Sequence, residues 1–325
     1  MAVDIESVPV RVERRLDAPI IDASTHPSIG ANIQGPSLTR APDWLESPLG
    51  RYYLYFADHK GSYIRLAFAD ALKGPWNVHA PGSLQLEESH FPTVHPEVPP
   101  AMRDRLGART PRGLDPLREA TAPHIASPDV HVDDAARSII MYFHGLEGPG
   151  HQVSRVATSR DGIHFEARPE VLGRSYMRVF QHDGMTYAMA MPGRFYRSRD
   201  GFTGFEEGPL LFNASMRHAA LLKRGPTLYV FWTQVGDAPE RILLSTVDLT
   251  EDWKRWKDAG AREVLRPERV WEGARAPVEP SVRGPVYSQV NQLRDPAIYV
   301  EGDRVFLLYA VAGESGIALA EVLIG

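Results

Sequence analysis

Three carboxyls, three imidazoles and a guanidinium, drawn from five separated parts of the chain, are the side chains best suited to chemistry. They are Asp129, Asp295 and Glu314; His59, His144 and His218; and Arg178. Cleaving a glycosidic bond requires one carboxylic acid to protonate the departing oxygen. It also requires one carboxylate to activate water or to attack the sugar, across an oxocarbenium-like transition state. Asp129, Asp295 and Glu314 are the expected catalytic groups. Arg178 beside them would hold one carboxylate ionised and donate to sugar hydroxyls, and His218 could act as acid or base according to its partner. With Asn32, His59 and His144, these two make up the expected substrate-binding set. A second chemistry uses the same residues differently. His59, His144 and His218 could gather around one divalent metal ion with a carboxylate from Asp295 or Glu314, giving a Lewis acid for a lyase or isomerase acting on a sugar-like substrate. A third reading is sugar binding without turnover, although a pure binder has less need of several carboxylates in one place.

Any one of these residues alone reads as an ordinary strand-end side chain, so the elements that position them carry the argument. The apolar runs are short and rich in β-branched and aromatic residues: Tyr52–Phe56, 138–143, 186–190, 228–232 and 305–309. Runs of that length between turn residues predict buried strands rather than helices. Each is followed by a turn and another strand, at 63–69, 152–159, 195–198, 241–247 and 316–322. Ser159-Arg160-Asp161-Gly162 and Ser198-Arg199-Asp200-Gly201, each leading to a Phe-Glu, show the repeat directly. A unit of roughly 40–50 residues built of short strands and Gly turns is the signature of a propeller blade. The expected fold is therefore all-β, a five-bladed β-propeller forming a single domain over residues 1–325. Its inner strands would begin near Asn32, Ser127, Tyr176, Met216 and Arg294, and the ring would be closed by an N-terminal strand at residues 8–15. A β-sandwich is the alternative, disfavoured by the long period. Residues 81–123 and 266–292 break the repeat and are expected as inserts, the first as a lid or pocket wall carrying His90 and His95.

In a propeller, the start of each inner strand and the turn between the second and third strands meet at one face. Counting back seven positions from the turn after each inner strand selects Asp129, Met177, His218 and Asp295, with Arg178, Arg217 and Arg294 one position away. In the first blade the equivalent is Asn32, Gln34 or Ser37. The second-to-third turns add Asp58-His59-Lys60, His144, Asp237 with Glu240, and Glu314. Trp44, Tyr176 and Trp232 are candidates for stacking on sugar faces, Trp232 being better suited to core packing.

The strings Ser127-Pro128-Asp129-Val130-His131, Met141-Tyr142-Phe143-His144-Gly145, Ser159-Arg160-Asp161-Gly162 and Arg294-Asp295-Pro296-Ala297 resemble the five-bladed propeller glycoside hydrolases. Family 43 and its fructan- and arabinan-cleaving relatives are the nearest likeness. The resemblance implies three acids from the first three blades: a base, a modulator and a general acid. Asp129 maps onto the modulator. Gly35-Pro36-Ser37 replaces the first-blade Asp-Pro, which recurs instead at Asp295-Pro296 in the fifth blade. Glu207-Gly208-Pro209 would be the third-blade acid, yet the internal repeat aligns Glu206 with Glu166 on an outer strand. The family's catalytic trio is therefore not intact.

Composition sets the outer limits. A formal net charge of −5 without basic runs gives no electrostatic grip on nucleic acid. The absence of cysteine removes disulfides, thiol nucleophiles and iron–sulfur clusters. No GxGxxG, GxxxxGK[ST], HExxH or GxSxG motif is present, so neither a nucleotide cofactor nor a serine nucleophile is expected. No apolar run reaches membrane-spanning or signal-peptide length, which predicts a cytoplasmic protein without a membrane partner, acting on a small molecule or oligosaccharide.

Overall fold

The computed structural model describes residues 9–106 and 114–325, so Val8 of the expected closing strand and residues 107–113 of the first insert lie outside the described residues. The strands form five antiparallel sheets arranged as the blades of a propeller, each ordered from inner to outer strand. Blade one runs Gln34–Arg40, Tyr52–Ala57, Tyr63–Ala69 and Asn77–Gln85. Blade two runs Ile125–Asp133, Ser138–Gly148, His151–Ser159 and Glu166–Ala167, with Gly173–Arg174 also pairing to its third strand. Blade three is Arg178–His182, Met185–Ala190, Arg194–Ser198 and Glu206–Leu210. Blade four is Met216–Arg224, Thr227–Gln234, Ile242–Asp248 and Arg262–Leu265. Blade five takes Arg294–Glu301, Arg304–Val311 and Gly316–Ile324, and its outer strand is Val10–Arg14, paired antiparallel with Gly316–Ile324. The N-terminal strand thus closes the ring.

The apolar runs are continuous because successive side chains of a strand point to opposite faces, and both faces of a blade are covered by neighbours. In blade one, Tyr53 and Tyr55 pack towards blade two with Met141 and Phe143, while Leu54 and Phe56 pack towards blade five with Phe306 and Leu308. The Ser-Arg-Asp-Gly repeats are turns between third and outer strands. Asp161 Oδ1 accepts from the amides of Ile163 and His164, each at 2.8 Å, and Asp200 Oδ1 accepts from those of Phe202 and Thr203, each at 2.8 Å. Each turn also ties blade to blade. Tyr55 donates to the Gly162 carbonyl at 2.7 Å, and Tyr142 to that of Gly201 at 3.0 Å.

All five inner strands are broken at their start by a two-residue bulge, shown by a register shift in four blades and in blade three by the step from Ser175, opposite Met191, to Arg178, opposite Met189. The bulge pairs are Gly35-Pro36, Ser127-Pro128, Tyr176-Met177, Arg217-His218 and Asp295-Pro296. Three contain proline, which has no N–H to give to a ladder. The first residue has positive φ in four cases: +62° at Gly35, +50° at Ser127, +64° at Tyr176 and +46° at Asp295. This corrects the expected register. Asp129 is equivalent not to Asp295 but to Ser37, Arg178, Ala219 and Ala297, the first paired residue below each bulge.

The inserts also differ in detail from expectation. Residues 81–85 belong to the outer strand of blade one, so the first insert starts later. It holds the short helices Pro100–Arg103 and Pro116–Thr121. Outside the inserts, the helical structure among the described residues is confined to single 3₁₀ turns at Pro27–Ile29 and Trp253–Arg255. No helix among the described residues is long and apolar enough to cross a membrane.

Candidate functional site

A cavity of about 800 Å³ opens at the face where the inner strands begin. The bulges supply its floor with Ser127, Tyr176, Arg217 and His218, and the second-to-third turn of blade one supplies His59 and Lys60. Both inserts form walls, through Leu114, Pro116, Glu119 and Ala120 on one side and Val282, Arg283 and Gly284 on the other. His90 and His95 are not at the cavity; they bind the Ala167 carbonyl and the Thr121 hydroxyl. His144 does line it, but from within a strand that runs five residues further than expected, to Gly148, rather than from a turn.

Asp295 and Glu314 lie directly behind the floor, neither with exposed surface. Asp295 Oδ1 accepts a hydrogen bond from the Tyr176 hydroxyl at 2.9 Å and lies 3.5 Å from His218 Nδ1, while Oδ2 is buried without a partner. Burial, then the neighbouring Glu314 charge, pushes its carboxyl up to about 6. Glu314 meets the opposite surroundings. Asn32 Nδ2 donates to it at 2.6 Å, Arg294 Nη1 at 2.8 Å and the Val286 amide at 3.2 Å, with His59 Nδ1 3.4 Å away. Burial alone would raise its pKa, but His59, Arg294 and Asn32 outweigh that and hold it far below the usual carboxylate range.

A line of alternating charge joins the two. Arg294 spans Glu314 and Glu240, its Nε 3.4 Å from Glu240 Oε2, and Arg217 Nε lies 3.6 Å from Glu240 Oε1 and 3.3 Å from His218 Nε2. Arg294 and Glu240 are fully buried. Burial first, then Arg217 and Arg294, keeps His218 well below the usual histidine value. It is a neutral ring that lines the cavity.

The expected site residues therefore separate into layers. Asp295, His218, His59 and Glu314 are brought together, with Asn32 behind Glu314. Asp129 and Arg178 are not in the cavity wall and lie a step deeper. Asp129 Oδ2 accepts from His131 and from the Val179 amide, both at 2.8 Å. Arg178 spans the ring from the Ser127 carbonyl (3.1 Å) to that of Ala219 (3.1 Å), its guanidinium 4.3 Å from the Tyr176 ring centre. Its hydrogen bonds go to backbone, not to the cavity. Trp44 is at the other end of the blades, donating to Asp134 in a hairpin loop, and Trp232 is buried in the core. Glu207 sits on the outer strand of blade three beside Arg194, away from the cavity.

The three histidines do not converge. His144 and His218 stand on either side of Tyr176 in sequence of contact, with ring centres 6.0 and 5.0 Å from the tyrosine, and His59 is turned to Glu314. Among the described residues, no three His, Asp or Glu side chains are grouped so as to hold a metal ion. Tyr176, Arg217 and Glu240 were visible in the sequence as neighbours of the selected positions. Arg174, Arg283 and Glu119 were not, because the segments that carry them have no repeat to align.

No protein-family model matches the chain. It is 36% identical over 317 residues to "Uncharacterized protein R118" of Acanthamoeba polyphaga mimivirus, covering 90% of this chain and 83% of that protein. Among solved structures, it resembles a GH43_1 enzyme from Xanthomonas citri (TM-score 0.56, 12% identity, 94% and 90% of the two chains). A family 43 β-xylosidase/α-arabinofuranosidase from a compost metagenome, in complex with xylotriose, gives TM-score 0.56 and 12% identity over 96% and 94%. An N-acetylgalactosamine deacetylase from F. plautii, in complex with a blood group B trisaccharide, gives 0.54 and 12% over 96% and 95%. At such identities these likenesses establish the five-bladed fold and leave chemistry to the site.

Proposed function

The chain belongs to the same family as the mimivirus protein R118, and from the carboxyls behind its cavity floor we propose that it is a carbohydrate-active enzyme of the glycoside hydrolase type. One observation carries the reading: two carboxyls behind one cavity floor have their proton affinities driven apart, Asp295 up to about 6 and Glu314 far down. Such a split assigns the roles of proton donor and permanent anion. Asp295 is the donor, with Oδ2, the oxygen lacking a partner, free to carry the proton. Glu314 is the ionised partner that steadies positive charge developing on the sugar. Tyr176, His218 and His59 contact these carboxyls and line the cavity, so they are the groups that touch substrate, and the Asp295 proton reaches the leaving oxygen through Tyr176 or His218, which it contacts. Arg178 supports Tyr176 from below. The solved sugar complexes on the same fold are consistent with a saccharide in this funnel.

The test is hydrolysis of xylo-, arabino- and galacto-oligosaccharides by the parent protein and Asp295→Asn. Turnover should fall by at least ~100-fold in the variant, the lower range for a positioned acid. It should also fall in the parent as pH rises through about 6, where the donor loses its proton. Glu207→Gln should leave it unchanged. Full activity in Asp295→Asn would overturn the assignment. The complete burial of both carboxyls favours a second reading, a sugar-binding propeller without turnover, which saccharide binding with no hydrolysis in any condition would select.

A further inference from the structure

We infer that the ligand of the funnel is a sugar bearing an anionic group, seated against Arg174, Arg217 and Arg283; this rests on the carbohydrate-active reading above. The whole chain carries a formal charge of −5, yet the described cavity lining holds four cations, Lys60, Arg174, Arg217 and Arg283, against one acid, Glu119. The three arginines are on one side of the cavity. Arg217 Nη1 reaches the Val282 carbonyl, next to Arg283. Arg283 in turn approaches the Met191 sulfur at 3.7 Å, and the Met191 amide donates to the carbonyl of Ser175, next to Arg174.

Neither Arg174 nor Arg283 has an ion-pair partner among the described residues. Arg283 is held by the Ala214 carbonyl at 3.1 Å and the Met191 sulfur, and both side chains are exposed. Of the acids behind the floor, Glu314 is engaged by Arg294 and Glu240 by Arg217 and Arg294, while Asp295 is turned to the Tyr176 hydroxyl. Lys60 adds a fourth cation to the lining, its ammonium donating to the Glu119 backbone carbonyl at 3.1 Å. Guanidinium groups lining a concave surface, two of them without a carboxylate of their own, are suited to oxyanions, which they bind in paired, charge-assisted hydrogen bonds. A funnel for a neutral sugar would show stacking rings, and Tyr176 is the one Tyr, Phe or Trp in the described lining.

Calorimetric titration at low salt tests this with galactose against galacturonate, glucose against glucose 1-phosphate, and inorganic phosphate alone. The charged member of at least one pair should bind about tenfold or more tightly than its neutral counterpart, with the advantage shrinking as salt is added. Arg283→Gln and Arg174→Gln should each remove most of that advantage, weakening the charged member of the pair far more than the neutral one. Preference for galacturonate over glucose 1-phosphate would identify a carboxylate, and the reverse a phosphate. Neutral sugars binding as tightly as their charged counterparts would overturn the inference and leave the carbohydrate reading standing, as would a charge preference that both arginine variants retain. Arginine-dependent binding of inorganic phosphate with no sugar bound would support the anion site and remove the sugar. Binding of no probe would overturn both.

Discussion

Asp295 and Glu314 flank the same strand hairpin of blade five, yet Asp295 keeps an oxygen without a partner while Glu314 accepts from three donors. The contrast has a stability signature. Because the Asp295 pKa is raised from 3.8 to about 6, the folded protein retains a proton that the unfolded chain releases in that interval. Stability therefore falls as pH climbs through the interval. Asp295→Asn, which keeps the acceptor for Tyr176 and removes the buried charge, should raise stability at pH 8 by on the order of 1–3 kcal/mol and by little at pH 4. Glu314→Gln should behave oppositely. Its depressed pKa contributes stability above the ordinary carboxyl value that is lost as pH falls below it, so the variant should lose about 3–5 kcal/mol at neutral pH, the cost of breaking a buried ion pair. Thermal melts of the three proteins across pH check both signs, and a gain for Asp295→Asn that is equal at pH 4 and pH 8 would refute the buried-charge account. The residue types were legible in the sequence: Asp295, Glu314, His59 and His218 are all among those selected from it. The depth at which each sits was not, because Asp129 and Asp295 look alike until the bulge is known.

The bulge is the element that sorts them. It turns one residue of each inner strand out of the ladder, and in four of the five blades it demands a conformation that most residues avoid. At Gly35 the demand is strictest. The φ of +62° is joined by an approach in which a Cβ would lie 2.8 Å from the Ser127 Cα of the next blade. Gly35→Ala should cost about 2–4 kcal/mol, through overpacking against backbone as well as strain, and urea melts read it as a lower midpoint. A midpoint equal to the parent's would mean that the inner strands do not meet so closely. Strand positions were readable from the apolar runs because length and composition suffice for them. The register was not, since it depends on hairpin detail. Blade two turns through four residues, Asp134 to Arg137, where blades three, four and five use two, and the inner strand of blade four has one extra paired residue. Counting from the turn accordingly selected Asp129, two positions past the bulge residue, and in blades three and four Met177 and His218, one past it.

At the scale of the whole ring, five apolar clusters lie between the five neighbouring blade pairs, and the pair of chain ends in blade five completes the circle. The closure is secured electrostatically. Arg14 donates to Glu272 at 2.7 and 2.9 Å, and this fully buried carboxylate also accepts from Tyr309 at 3.0 Å. Arg14→Met should lower stability by about 2–4 kcal/mol, because Glu272 would keep its charge without a cation. Arg11→Met, on the same strand but exposed, should be nearly neutral, and denaturant midpoints of the two compared with the parent decide it. Ring closure also orders events during synthesis. Gly316–Ile324, the pairing partner of Val10–Arg14, is made about three hundred residues after it. At about 5–20 residues per second that is a wait of roughly 15–60 s. Throughout it the first strand has no ladder, and for nearly all of it Asp295 and Glu314 have not been made. Every strand of the first four blades is therefore made before either carboxyl of the site, and the strand pairing that seals the ring waits on the same last blade that carries the residues that would do its chemistry.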